Sequence, residues 1–326
     1  MASPNIAQIT STTLRHRVKK LGDNVTNSIA ILTKLKEKGN VKTVSGGEDI
    51  MQPIEYQENS SAKWYAGPET LDVSEQDVIS AAHFAWKQAA VSVVTTGLES
   101  EVQNTGKEQV VELLSARIKN AETSLTDLVA TAMYADGTGS SSKEVGGLQY
   151  LVADTPTSGT VGGINRATWT FWRNISFDCS SDGGAAMTSA NAQSYMNQTW
   201  VQLVRNTEHP DCIFADNTYF RNYWESLQAI QRVSNEKYAS AGFQSLGYVG
   251  GMADVFLDGG IGGHCPSSHM YMLNSKYIFL RVAKNRNFTV LGADRQPVNQ
   301  DVNVHLIGFA GNMTMSAAKV HGVIIA

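Results

Sequence analysis

Cysteine is scarce in this chain, proline is scarce, and charge is scarcer than in most folded proteins. Only Cys179, Cys212 and Cys265 are present among 326 residues. An odd count at irregular spacing argues against a disulfide framework and fits a reducing compartment. No apolar run approaches the roughly 20 residues that span a bilayer, so no membrane partner is implied. Met1–Thr13 lacks the apolar segment that follows a basic start in secretory leaders. The protein is therefore expected to be soluble and made in a cytosol. Charged residues make up 17% of the chain, against about 25% in an average domain. Two causes fit: a surface covered by partners, since interface cores are depleted of charge, or a surface rich in uncharged polar residues.

Catalytic motifs are missing as well. There is no Gly-x-Ser-x-Gly elbow and no phosphate loop ending in Gly-Lys-Ser/Thr. Asp136-Gly137-Thr138-Gly139 has the look of an acid-protease triplet, but the spacing is wrong and a helix stop explains it better. His264-Cys265-Pro266-Ser267-Ser268-His269 offers two metal-ligand types within six residues. A second pair is absent nearby, whereas a closed zinc site needs four ligands, so a loop tip is the better reading. Trp64, Tyr65, Trp86, Trp169, Phe171 and Trp172 would suit stacking on single-stranded nucleic acid. No basic groove accompanies them, because Arg166 and Arg173 are the bases near the later cluster. Packing or interface anchoring is preferred. No enzyme activity, cofactor or metal is expected.

What charge there is lies unevenly. Residues 1–45 hold eight bases (Arg15, Arg17, Lys19, Lys20, Lys34, Lys36, Lys38, Lys42) against Asp23 and Glu37, while the whole chain is at −4. A basic arm before an acidic body has three readings. It meets a polyanion, it meets an acidic surface of a neighbouring copy, or it is a solvated helix face. Residues 46–101 hold ten acids and two bases, Lys63 and Lys87. They read as a long β-hairpin without a core of its own. Glu48–Tyr56 is one arm, Glu58–Ser61 a turn, and Lys63-Trp64-Tyr65 opens a return through Phe84 and Trp86 to Val93. Pro53 demotes the first arm to an edge or a bulge. An isolated hairpin is marginal in water, so this one is expected to lie on another subunit.

The apolar periodicity predicts a short helix near 27–38 and a long one over 105–135. In the long one Val110, Leu114, Ile118, Ala121, Leu125, Leu128 and Ala132 recur at steps of three and four. Thr105 and Glu108 form a capping box. A rod of roughly 45 Å results, too long for an ordinary domain helix, and is read as a strut. Residues 136–186 are rich in Gly, Ser and Thr, with strands expected at Leu148–Val152 and Trp169–Arg173. A helix from Ser189 to about Arg205 follows, then a strand at Cys212–Ala215 and a helix over Asn217–Gln228. Further strands are expected at Asp254–Leu257, Met270–Leu273, Tyr277–Val282, Val302–Phe309 and Lys319–Ile325, with a Gly/Ser-rich loop at Gly259–Ser268.

Basic arm, hairpin, strut helix, Gly-rich segments and an α/β region, in that order, resemble the major capsid proteins of tailed bacteriophages. Particular runs carry the likeness: Val44–Gly47, Trp86–Val93, Gly146–Pro156 leading into Val161–Arg166, and the closing His321–Ile325. The resemblance implies an α+β fold of the Hong Kong 97 type, with an N-terminal arm, an extended β-hairpin loop, a long spine helix, and peripheral and axial domains. It implies an arm over 1–41, an extended loop over 42–95, a peripheral domain over 96–186 and 300–316, and an axial domain over 187–299 and 317–326. It implies copies assembled as pentamers and hexamers into an icosahedral head shell around double-stranded DNA, in a virion built in a bacterial host. A portal protein and a separate scaffolding protein, or none, would accompany it, with room for a decoration protein outside. Assembly contacts are expected at Glu55, Glu58, Lys63, Trp64 and Tyr65 of the loop and at Arg15, Arg17, Lys19 and Lys20 of the arm. Some relatives cross-link through a loop lysine. Lys63 is not given that role, because no matching Asn and acidic partner is identifiable. An encapsulin-like nanocompartment shell is the alternative, and an enzyme with a hairpin extension a remote one.

Overall fold

The computed structural model describes residues 30–96, 113–227, 245–259, 263–290 and 301–326. Helix α1 (Ala30–Glu37) ends at Gly39, whose φ of +70° supplies the left-handed stop. The short strand β1 (Val41–Val44) follows. Next come β2 (Asp49–Glu55) and β3 (Ile79–Ala85), which pair antiparallel with Asp49 opposite Ala85 and Glu55 opposite Ile79. Strand β4 (Lys87–Thr96) begins after a single intervening residue and precedes the long helix α2 (Leu113–Tyr134). The start predicted for that helix at Thr105, with its Glu108 cap partner, lies outside the described residues.

The two strands expected after α2 are not strands. Leu148–Leu151 is one helical turn, α3, and Thr170–Trp172 is a 3-10 turn. Both are short apolar runs whose periodicity cannot separate helix from strand. The extended pieces here are a minute hairpin, β5 (Thr160–Val161) with β6 (Ile164–Asn165), and β7 (Ile175–Asp178). Helix α4 (Ala192–Leu203) starts three residues after the predicted Ser189 cap, because Asn191 accepts the Thr188 N–H at 2.6 Å and closes the preceding turn. Strand β8 (Cys212–Ala215) and helix α5 (Asn217–Ser226) stand where expected, with Asp216 capping α5 through the Tyr219 N–H at 2.8 Å. The remaining strands are β9 (Ser245–Tyr248), β10 (Ala253–Leu257), β11 (His269–Leu273), β12 (Ile278–Ala283), β13 (Thr289–Val290), β14 (Val302–Met315) and β15 (Gly322–Ile325).

These strands form two main sheets. One runs β1-β12-β14-β13, with β4 on the other side of β14 along a ladder from Lys87 opposite Gly311 to Thr96 opposite Val302. The other has the order β7-β15-β11-β8-β10-β9. Strand β12, inside the span expected to be axial, thus joins the long sheet. Strand β7, inside the span expected to be peripheral, joins the six-stranded one.

Both faces of the six-stranded sheet are covered. Ile213, Ala215, Val255, Met270 and Met272 face α4 and α5 in one core. Their alternates Cys212, Phe214, Phe256, Tyr271 and Leu273 face α1, α2 and the long sheet in a second. Two-sided burial is why these strands read as unbroken apolar runs.

Helix α2 is clamped at its end by a glycine. The Gly147 N–H donates to the Ala135 carbonyl at 3.1 Å, and a Cβ on Gly147 would sit 2.3 Å from the Ala132 carbonyl oxygen. Gly147→Ala is expected to cost about 1–3 kcal/mol through overpacking, read as a lowered thermal midpoint with unchanged helical signal.

Candidate assembly surface

The hairpin root is not free-standing, contrary to the expectation that it has no core of its own. Alternation along β2 and β3 turns Ile50, Ile54, Ala82 and Phe84 inward, where they join the main core of their own chain. Gln52 is buried with them and accepts from the Arg281 guanidinium at 2.7 Å. Asn312 of β14 donates to the Ala85 carbonyl at 2.8 Å and accepts the Gly146 N–H at 3.0 Å. Gly162 packs so close that a Cβ would lie 2.9 Å from both Ala82 and Phe84. Pro53 sits opposite Ala81 in this two-stranded ribbon, an edge position that tolerates a missing N–H.

Beyond the root the loop is a different object. Residues 57–78 form no strand, and the return predicted from Lys63 begins at Ile79. Asn59 makes the expected turn, accepting the Ser61 N–H at 2.9 Å. Trp64 is 100% exposed and Tyr65 63%. Glu55 and Glu58 are exposed, as is Lys63, whose ammonium donates to the Thr70 carbonyl at 2.7 Å. An exposed tryptophan beside charged neighbours on a loop tip is the composition of an interface anchor.

Part of the basic stretch is tied to its own chain, while Lys36 and Lys42 are exposed. Lys34 is buried and its ammonium lies 3.1 Å from the Asp254 carboxylate of β10. Lys38 pairs with Asp211 at 3.1 Å, and Asn40 donates to the Ser275 carbonyl. Burial alone would raise the Asp211 carboxyl, but the Ser275 hydroxyl and N–H, with Lys38, hold it below the usual range. Helix α1 is therefore latched onto the six-stranded sheet, at β10 through Lys34 and at the residue before β8 through Lys38. Arg15, Arg17, Lys19 and Lys20 lie outside the described residues.

No protein-family model matches the chain, and no curated protein sequence is significantly similar to it. Solved structures do match. A chain of the cyanophage A-1(L) capsid asymmetric unit superposes with a TM-score of 0.67 at 16% identity, over 97% of this chain and 98% of that one. A chain from Mycobacterium phage Bobi does so at 0.55 and 11%, covering 99% of each. The chain has the fold of tailed-phage major capsid proteins. An encapsulin of the holo-SrpI complex from Synechococcus elongatus shares it, at 0.59 and 8% over 100% of this chain and 96% of that one. In this Hong Kong 97-type fold, α2 is the spine helix and β2, β3 and the 57–78 tip form the extended loop.

Groups that sequence offered to chemistry make contacts within the fold. His264 lies 3.2 Å from Asp127 of the spine helix, and His269 pairs with Asp154 at 3.2 Å, so the two rings belong to separate contacts. Among the described residues no group of three His, Cys, Asp or Glu could hold a metal ion. Asp136 accepts the Thr138 N–H at 2.9 Å and shapes the turn after the spine helix. Arg166 is buried, donating to the Leu151 and Trp172 carbonyls, and burial pushes its pKa down to about 10. Trp172 is buried in the core, whereas Trp169 packs edge-on against Tyr56 at 6.0 Å and stays half exposed. The α1 latch was missed in sequence because its partners Asp211 and Asp254 lie more than 170 residues away.

Proposed function

We propose that this chain is a shell subunit, a major capsid protein whose copies close into an icosahedral head around double-stranded DNA. The observation that carries the reading is a likeness to the cyanophage capsid chain over 97% of this sequence. The exposed loop tip, with a tryptophan that its own chain leaves uncovered, supports it physically. Weak pairwise contacts suffice in such a shell, because closure makes each later contact effectively intramolecular. Copies in pentamers and hexamers are the main partners. A portal protein, a separate scaffolding protein and a decoration protein complete the reading, with Arg15, Arg17, Lys19 and Lys20 proposed as assembly contacts of the arm. The subunit would be made in the host cytoplasm and reside in the virion.

Sedimentation and negative-stain microscopy of the purified chain test this. Closed particles are the expected result, and a monomer that stays monomeric under assembly conditions overturns it. A nanocompartment shell is the second reading, favoured by the match to the encapsulin. Nuclease-protected DNA in native particles supports the first, and packaged protein cargo the second.

Charge at the loop gives a sharper expectation. Glu55→Lys with Glu58→Lys is expected to leave subunit stability within about 0.5 kcal/mol, since both residues are exposed. Assembly rate at low salt should fall about tenfold as attraction across the contact is reversed. Light scattering during assembly reads the effect, and unchanged kinetics would show that these charges face solvent in the shell.

A further inference from the structure

A cavity of about 320 Å³ opens between the spine helix, β4 and the segment before α3. Leu128, Ala132 and Phe309 contribute apolar wall, and Lys87, Lys143 and Glu144 stand at its charged margin. Leu128 is 54% exposed on the helix flank, an apolar side chain aimed at unfilled space. The outer wall is held in an unusual form. Ser140, Ser141 and Ser142 take φ of 50°, 59° and 62°, three successive left-handed residues without a glycine. Lys87 fixes them by donating to the Ser142 carbonyl, and the Ser142 N–H donates to Thr138 at 3.0 Å. Such a conformation persists only where its surroundings over-determine it.

Trp64 is the complementary object. It is 100% exposed at the tip of the extended loop. The tip is acidic through Glu58, Glu69, Asp72, Glu75 and Asp77, with Lys63 beside the tryptophan. Against the cavity this pattern pairs in both senses: tip acids with Lys87 and Lys143, and Lys63 with Glu144. A second hollow, of about 190 Å³, lies between Tyr56, Ile79, Trp169 and Phe171. It fits worse, because Asp77 lines it and would repel an acidic tip, and its rings already pack on one another. Tryptophan seated in an apolar pocket with a polar rim is the usual form of an interface hot spot.

We propose that Trp64 of one copy seats in the spine-helix cavity of a neighbouring copy. The proposal rests on the shell reading and names the contact that reading leaves open. It predicts an anchor in which the loop's specificity comes from one aromatic side chain and the two lysines beside its socket.

The test places p-benzoylphenylalanine at position 64 and assembles a mixture of 14N- and 15N-labelled chains before irradiation. The expected result is linked peptides of mixed isotope, joining position 64 to residues 87–90, 128–132 or 143–145. Particles whose links fall elsewhere, or only within one isotope, overturn the proposal and leave the shell reading standing. Failure of the unsubstituted chain to form particles overturns both. If the bulkier side chain alone blocks assembly, a zero-length carbodiimide on unsubstituted mixed-isotope shells reads the same contact. Amide links between Lys87 or Lys143 and tip acids of another copy then support it, and their absence overturns it.

Discussion

Replacing Lys34 by Met is expected to destabilise the unassembled subunit by about 3–5 kcal/mol, the cost of breaking a buried ion pair from one side. The ammonium and the Asp254 carboxylate are 3.1 Å apart, with side chains only 5% and 11% exposed. Removing the cation leaves the carboxylate among Phe256, Phe214 and Cys212 with its main counter-charge gone. The apolar stem of Met still fills the space, so packing loss contributes little. Adding Asp254→Leu should recover most of the loss, because an apolar pair of similar volume avoids desolvating either charge. Urea midpoints of the single and double variants measure both effects. Equal midpoints for Lys34→Met and the parent would show that the pair is water-screened and that α1 is held by its apolar face together with the Lys38 and Asn40 contacts.

A comparable loss is expected from acid, and it centres on His321. The ring is fully buried, and burial pushes its pKa down to about 3 from an ordinary 6.5. Its Nδ1 accepts the Asn274 N–H at 3.3 Å, which fixes the proton on Nε2 and makes the neutral ring the one that fits. The folded pKa lies below the unfolded one, so the unfolded chain binds the extra proton first. Stability is whole above pH 6.5, falls as pH drops, and levels off near pH 3. Integrated over that window, the loss reaches about 4–5 kcal/mol. Two groups act against it. Burial alone would lower the His269 pKa, yet its bonds to Asp154 and the Ser267 carbonyl raise it, so that ring adds stability as pH falls toward its ordinary value. Burial raises the Asp258 carboxyl, which regains stability as it protonates. The readout is therefore the difference between the parent and His321→Asn. The variant should show a flatter fall in urea midpoint between pH 6.5 and 4. Parallel slopes would mean that the ring takes up a proton inside the fold without cost.

Much of the capsid-type architecture was legible because local pattern and tertiary role agree. Cys212–Ala215 and Asn217–Ser226 stand where an apolar run and a capped amphipathic stretch put them. The spine helix was legible in its buried positions Ala121, Leu125 and Ala132. Leu128 was misjudged: it belongs to the same periodic stripe but lies on the flank, open to the cavity, because the stripe is wider than the contact it makes. The loop return was placed too early because aromatic residues at 64 and 65 imitate a strand. Both are exposed, so neither enters a strand of this chain. Helix α1 and strand β1 took meaning only from residues far downstream, Asp254 and Leu280, and no local pattern announces such a partner. Of the proposed contact, the tip was visible in sequence; the socket was not, since four separate segments form it.

One consequence of the strand arrangement is mechanical. Strand β3 ends at Ala85 and β4 begins at Lys87, with only Trp86 between them, its indole tied to the Gly47 carbonyl at 3.0 Å. Tension applied at the loop tip enters β4 along its own axis. The ladder against β14 is then loaded in shear, with its rungs strained together, rather than peeled open one rung at a time. If copies of the chain close into a shell, its wall would inherit a tendon whose weakest direction is not the one in which neighbours pull.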